Sequence, residues 1–500
     1  MKNYRLSAIG SPLSAAFILT FVAATLPAQT RRTTSNQKGA LDRTKVPAPA
    51  ATPAVRVPTW TKSTLPNGAR LIVSQKRNLP LVSVSVDFVG GKYQFEDPSK
   101  RGVATLTAQM MSEGTASRTG DQLADAQQML GTRISVTVGG ESGSIAFTAL
   151  SDKLDAALEL LGDMLTSSTF AGDALERRRG QLLLSITQAK SQPRSIAANV
   201  FARVLYGDEH PYGRVADEQT VKSITRDDVV RFAREYFQPA RAVITVVGDV
   251  DPAKVRLSVE KALAQWPAQE GSKIAFNYPA LAAASATTIY LVDKAKAPQS
   301  VFNIGLPGPS RDTPDYYAIL VMNSILGQVY LSRLNSVLRE QKGYTYSASS
   351  SFAFGKGPGA FRAGADVATE KSDSALIAFM NELRGVQGSK PFTEDEIKQA
   401  REHLTQGLVR RFESVDAIAG AISSIYVQDL PESFYKEYSA KVGAVTADDL
   451  VRVAKKYIDL DHIDIVIVGD RAAIEEPLRK TGIAPVVVLD IEGKPIPATP

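Results

Sequence analysis

Few side chains in this 500-residue sequence have the type and spacing to do chemistry. There is no cysteine, which removes disulfides, thiolate metal sites and thiol nucleophiles together. The only histidines are His210, His403 and His462. No two stand three or four residues apart, so no helix face can offer a histidine pair to a metal. His210 sits beside Pro211 in a turn, His403 in a polar helical stretch (REHLTQ) and His462 in a polar turn (DLDHID). Each reads as a structural or surface histidine. The acidic run Glu394-Asp395-Glu396 follows Thr393, where a helix N-terminus favours acids, so capping explains it. Serines are plentiful, but no Gly-x-Ser-x-Gly elbow presents one as a nucleophile. Gly355, Gly357 and Gly359 (GKGPG) lack the strand–turn–helix frame of a phosphate loop and read as a plain loop.

The elements that must position any site come in a definite order. Residues 1–28 read as a signal peptide: Lys2 and Arg5, the apolar run Ala15–Leu26, then a small-residue cleavage site at Pro27-Ala28-Gln29. That run is too short to span a bilayer comfortably, so export to a periplasm or cell exterior is expected, with no stable membrane insertion. Residues 29–58 form a basic Pro/Ala/Thr-rich stretch read as a flexible tether. The formal charge is +6 overall, with +2 in residues 1–30 and +5 in 31–58, leaving the body at −1. A nucleic-acid partner therefore loses its main support.

The body repeats itself. Ser223–Phe237 (SITRDDVVRFAREYF) matches Ala444–Ile458 (AVTADDLVRVAKKYI) at an offset of 221, and the same offset carries Val243–Asp249 (VITVVGD) onto Asp464–Asp470 (DIVIVGD). Thr225/Asp228 and Thr446/Asp449 are matching helix starts. Two similar halves follow, 59–266 and 287–500, joined by a hinge at 267–286. Strands such as Ala69–Ser74, Val82–Phe88 and Ser144–Leu150 alternate with helical stretches such as Asp152–Ser167. This predicts an α+β fold used twice, each half an antiparallel sheet with helices on one face.

Several stretches resemble the pitrilysin/insulinase family of zinc peptidases, whose smaller members are two-half subunits like mitochondrial processing peptidase. They are Leu65-Pro66-Asn67-Gly68 with Arg70–Val73, Gly102–Thr115, His210–Arg214, and Leu331–Leu334 through Arg339 to Tyr346. The resemblance implies an inverted zinc motif H-x-x-E-H in the Gly102–Thr115 segment. Those three positions hold Thr105, Ala108 and Gln109, and the place of the third ligand falls near Ser185. A hydroxyl and an amide are poor zinc ligands, and Ala108 has no proton-transfer group. Glu113 and Glu176 lie nearby but are isolated carboxylates. No zinc is therefore expected on this chain.

In this family, the half or subunit opposite the zinc supplies an Arg and, seven residues later, a Tyr that hold the substrate carbonyl. The resemblance assigns that role to Arg339 and Tyr346, whose donors suit a carbonyl gaining negative charge. Tyr344 is a rival, and an ordinary Arg339–Glu340 surface ion pair is the plainer reading of the arginine. The resemblance also implies a peptide added as a strand to a sheet edge, here Arg133–Val138, which could equally be an interior strand. The expectation is a non-catalytic subunit of an exported heterodimeric peptidase, with a peptide substrate and a zinc-bearing paralogous partner. A non-proteolytic scaffold or a peptide-binding homodimer is the alternative.

Overall fold

A computed structural model describes residues 55–268, 274–282 and 285–496. The expected signal peptide, most of the expected tether and parts of the 267–286 hinge lie outside these. Of the tether, Val55 and Val57 are described, and both pack partly buried against Leu408, Ile425 and Phe434.

The first half builds a six-stranded sheet from β1 (Thr61–Thr64), β2 (Arg70–Gln75), β3 (Leu81–Val89), β4 (Ser135–Val138), β5 (Ser142–Leu150) and β6 (Ala242–Gly248), in the order β1-β2-β6-β3-β5-β4. The second half uses β7 (Thr288–Asp293), β8 (Gln299–Pro307), β9 (Thr345–Phe352), β10 (Ala360–Ala368), β11 (Asp464–Gly469) and β12 (Val486–Leu489), ordered β12-β7-β11-β8-β10-β9. Apart from the outermost β1 and β12, the two orders are the same. The sequence repeat is thus a repeat of topology, and the α+β class in two similar halves stands.

Two details differ from the sequence reading. The sheets are mixed: β2 pairs parallel with β6, and β7 pairs parallel with both β11 and β12. The hairpins gave the antiparallel expectation, but β6 and β11 return only after a long helical stretch, the kind of connection that lets strands run parallel. The sheets are also covered on both faces. β6 (AVITVVG) is buried along its whole length, and its alternate residues face different neighbours. Ile244 and Val246 join the core of their own half, whereas Val243 and Val247 meet Val415, Ile418 and Ile422 of the Val415–Val427 helix in the other half. The arrangement is reciprocal. Ile465 and Ile467 of β11 face their own half, while Val466 and Val468 meet Ile196, Val200 and Phe201 of the Pro193–Tyr206 helix. Each half therefore lends the other one helix, and a continuous apolar strand is the pattern that two covered faces require.

Both predicted helix starts are capping boxes. Thr225 Oγ1 accepts the Asp228 N–H at 3.2 Å, and Thr446 Oγ1 accepts the Asp449 N–H at 3.2 Å. Thr393 and Glu396 form a third, so the acidic run at 394–396 does cap a helix. Among the described residues no helix is long and apolar enough to cross a membrane.

Candidate functional site

Thr105, Ala108 and Gln109, three of the positions that the resemblance assigns to the zinc site, lie on the Val103–Met110 helix of the first half. Its start is fixed by Glu96, whose Oε1 accepts the N–H groups of Gly102 (3.0 Å) and Ala104 (2.9 Å). Burial raises the Glu96 pKa, with those two hydrogen bonds opposing it. Ala104, Leu106, Thr107, Ala108 and Met110 are buried, while Thr105 and Gln109 are half-buried one turn apart. The helix packs on the Gly172–Ala189 helix, which carries Ser185. Ser185 is exposed and its hydroxyl donates to the Leu182 carbonyl at 2.7 Å. Gln109 Oε1 is buried with no partner.

These groups do not fit a zinc ion. The set offers a hydroxyl, a methyl, an amide oxygen and a hydroxyl already committed to its own helix, with no imidazole or carboxylate among them. Glu113, which lines the same cleft as Ala108 and Gln109, is held instead by Arg177 and Arg178 of the neighbouring helix. Glu176 is paired with Arg179 at 3.0 Å. Among the described residues no three His, Asp or Glu side chains converge. His210 is buried, stacked on Tyr206 and Tyr278, and its Nδ1 accepts the Tyr212 N–H at 3.2 Å. Burial pushes its pKa below the ordinary histidine value. His462 Nδ1 lies 2.8 Å from Asp459 on the surface, and His403 sits in the second half.

A cleft of about 1690 Å³ runs from Ala108 and Gln109 past Glu113 to the N-terminal end of β4. β4 is the free edge of its sheet, bordering that cleft through Ser135 and Val136. Val136 and Val138 face the core and Ser135 and Thr137 face out. A main-chain edge beside a cleft can accept an extended peptide by strand addition. Of the two readings left open for this segment, the edge strand is the one found, although it starts at Ser135 instead of Arg133.

Arg339 and Tyr346 are brought together in the second half. Arg339 lies on a π-helical turn, Ser336–Gln341, and Tyr346 is the second residue of the edge strand β9. The guanidinium carbon is 4.7 Å from the Tyr346 ring centroid and 4.7 Å from that of Tyr330. Arg339 Nε also reaches Glu340 Oε1 at 3.2 Å, so the ion pair with Glu340 exists alongside the stack. Tyr330 donates its hydroxyl to the same Glu340 oxygen at 2.9 Å. Tyr346 is 81% exposed, leaving its hydroxyl open to a ligand. Tyr344 packs partly buried against the second-half core, which separates it from its rival. The cleft beside Gln109 includes neither Arg339 nor Tyr346 in its lining, so the two sets of residues do not form one site within this chain.

Tyr330 and Glu340 as supports for Arg339 were not read from the sequence. Tyr330 lies nine residues upstream, across a loop and a π turn, and no regular spacing links them. The GKGPG loop also holds a surprise. The N–H groups of Lys356 and Gly357 donate to the Glu141 carboxylate at 2.7 and 3.1 Å, and the hydroxyls of Tyr212 and Tyr278 donate to it too. Glycine is needed there, because a Cβ at Gly357 would come within 2.5 Å of the Tyr278 ring. The loop does bind an anion, and the anion is the other half's own carboxylate.

Comparison with known proteins agrees with this architecture. Residues 71–211 match the domain described as insulinase (peptidase family M16), and residues 223–404 match the peptidase M16 inactive domain. An uncharacterized zinc protease of Streptomyces coelicolor is 25% identical over 400 residues, covering 79% of this chain and 86% of that protein. A probable mitochondrial-processing peptidase subunit beta of Arabidopsis thaliana is 25% identical over 422 residues, covering 81% and 78%. Among solved structures, a peptidase M16 inactive domain from Pseudomonas fluorescens shares the fold at TM-score 0.76 and 24% identity, covering 82% of this chain and 98% of that one. A protease from Helicobacter pylori does so at TM-score 0.77 and 19% identity, covering 83% and 100%. With two matched domains spanning well over half its length, the chain belongs to the insulinase (peptidase M16) family.

Proposed function

We propose that this chain is the non-catalytic subunit of a two-subunit M16 peptidase. A paralogous partner carrying the intact inverted motif supplies the zinc and the general base. This chain contributes Arg339 and Tyr346 to hold the substrate carbonyl, and the leader expected at residues 1–28 directs it out of the cytoplasm. The observation carrying this reading is the pairing of an oriented guanidinium with an exposed tyrosine on a sheet edge, in a chain whose zinc positions hold Thr105, Ala108, Gln109 and Ser185. The similarity to a protein named as a peptidase subunit supports a paralogous partner. A peptide-binding homodimer is the second reading, favoured by the free β4 edge beside a cleft whose only deep carboxylate is already neutralised by two arginines.

Co-expression with a paralogue bearing the histidine motif tests the proposal. A complex by size exclusion, with zinc on the paralogue and peptide cleavage well above that of either chain alone, is the expected result. No complex, or cleavage indifferent to this chain, would favour the homodimer.

A further inference from the structure

β4 and β9 occupy the same edge position in the two sheets, and the chain treats them differently. Along β9 two asparagines close the edge. Asn335 Oδ1 accepts the Ala348 N–H at 3.1 Å, and Asn323 Nδ2 donates to the Ser350 carbonyl at 3.2 Å. An edge covered in this way is protected from pairing with another strand. β4 is open. Its one strand partner is β5, and among the described residues no side chain bonds to the main chain of Ser135–Val138. It is held at its ends instead. Gln127 Oε1 accepts the Ile134 N–H at 2.7 Å just before the strand. In the turn just after it, the Gly139 and Gly140 carbonyls accept the N–H groups of Lys92 at 2.8 Å and Tyr93 at 3.0 Å.

Glu141 completes that hold. Its half-buried carboxylate accepts the N–H groups of Lys356 at 2.7 Å and Gly357 at 3.1 Å, together with the hydroxyls of Tyr212 and Tyr278. Burial and the neighbouring carboxylate raise the pKa of both hydroxyls, so both remain donors. The four donors come from three parts of the chain: Tyr212 from the first half, Tyr278 from the segment joining the halves, and the glycine loop from the second half. That loop is fixed on its own half, where the Gly355 carbonyl accepts the Arg311 N–H at 2.8 Å and Lys356 Nζ donates to the Gln428 carbonyl at 2.8 Å. A four-residue strand followed by two glycines is costly to order, so the hold on its tip decides whether it stands as a template. Gly140 is required in that turn, because a Cβ there would collide with the Tyr93 ring.

We propose that Glu141 is a positioning residue for peptide capture: its cage of four donors holds β4 in place as the acceptor edge and couples that edge to the docking of the two halves. The inference rests on the reading that β4 takes an extended peptide by strand addition. A peptide that pairs with an edge already ordered is spared the cost of ordering it, which raises affinity. A carboxylate suits this task, since hydrogen bonds to an ionised acceptor are the stronger kind. With β9 sealed by its asparagines, β4 is the acceptor of the two equivalent edges.

The test combines amide hydrogen exchange and fluorescence anisotropy on the full chain, with a labelled peptide of alternating Ser and Val as the probe. In the unaltered chain the peptide should slow exchange of the Ser135–Val138 amides. Glu141→Ala should speed exchange of those amides in the free chain, leave β3 and β6 unchanged, and weaken the peptide about tenfold. Tyr278→Phe, which keeps the ring and removes one donor, should act in the same direction to a smaller degree, and it carries the test if Glu141→Ala does not fold. Unchanged affinity in these variants, with β4 still protected on binding, would overturn the positioning role and leave strand addition standing. Exchange speeded in β3 and β6 as much as in β4 would make Glu141 a general structural support and overturn the proposal. A peptide that leaves Ser135–Val138 unprotected, or fails to bind at millimolar chain, would overturn strand addition and the proposal with it.

Discussion

Arg339 is held by two rings and a carboxylate, and each support does a different job. The stacks on Tyr330 and Tyr346 contribute roughly 0.5–1 kcal/mol each at an exposed site and fix the plane of the guanidinium. Glu340 takes Nε, which leaves the terminal nitrogens as the donors available to a substrate oxygen. Tyr346→Phe separates the two contributions of its side chain, because the ring stays and the hydroxyl goes. In the complex with the zinc-bearing partner, this variant should lose roughly tenfold to a hundredfold in kcat with KM little changed, the pattern of a bond made only in the transition state. A loss confined to KM would mean Tyr346 only binds substrate. At this scale the sequence was informative about residue type: Thr105, Ala108, Gln109 and Ser185 carry no imidazole or carboxylate. It was silent on Tyr330, whose place beside Arg339 depends on a π turn that no periodicity announces.

At the scale of elements, the exchanged helices Pro193–Tyr206 and Val415–Val427 make the halves interdependent. Each fills the second face of the other half's sheet, so neither sheet is covered without its neighbour. Asp87 of β3 reinforces one exchange, accepting the hydroxyls of Ser85 at 2.7 Å and Ser423 at 2.5 Å. Ile422 is buried in this contact, and Ile422→Ala should cost about 2–5 kcal/mol. Thermal unfolding of this variant should remain one transition at a lower midpoint, because both halves lose the same clasp. Two separated transitions would contradict that interdependence. The strands β6 and β11 are continuous apolar runs, the pattern of two buried faces, yet the sequence reading placed helices on one face only. Which helix covers the second face was not readable, since an apolar stripe states that it is buried and not against what.

For the whole molecule, the repeat at an offset of 221 was legible because caps and strand runs recur in register. The contact between the two repeats was not. The hairpin β4–β5 of one half and β9–β10 of the other meet at their tips, where Glu141 takes two N–H groups from the glycine loop. Stability should follow two carboxylates in opposite directions. Asp315 is buried, yet hydrogen bonds from Lys456, Arg452 and Tyr457 outweigh that burial and hold it down at about 2. Its contribution is present above the ordinary carboxylate range and fades as pH falls toward that value. Asp464, at the start of β11, is pushed up to about 6 by burial. Its folded-state pKa is above its unfolded one, so its contribution is full in acid and is lost as pH rises through about 6. The melting midpoint should therefore decline between about pH 4 and pH 7, and Asp464→Asn should flatten that decline. An unchanged slope in the variant would assign the decline to other groups.

The central claim is that this chain acts through Arg339 on chemistry performed by a partner. The most direct measurement is kcat/KM for peptide cleavage by the assembled complex, with Arg339→Ala placed in this chain alone. The account predicts a loss of roughly a hundredfold to a thousandfold with the complex intact by size exclusion and the zinc content unchanged. Full activity in that intact complex would contradict it.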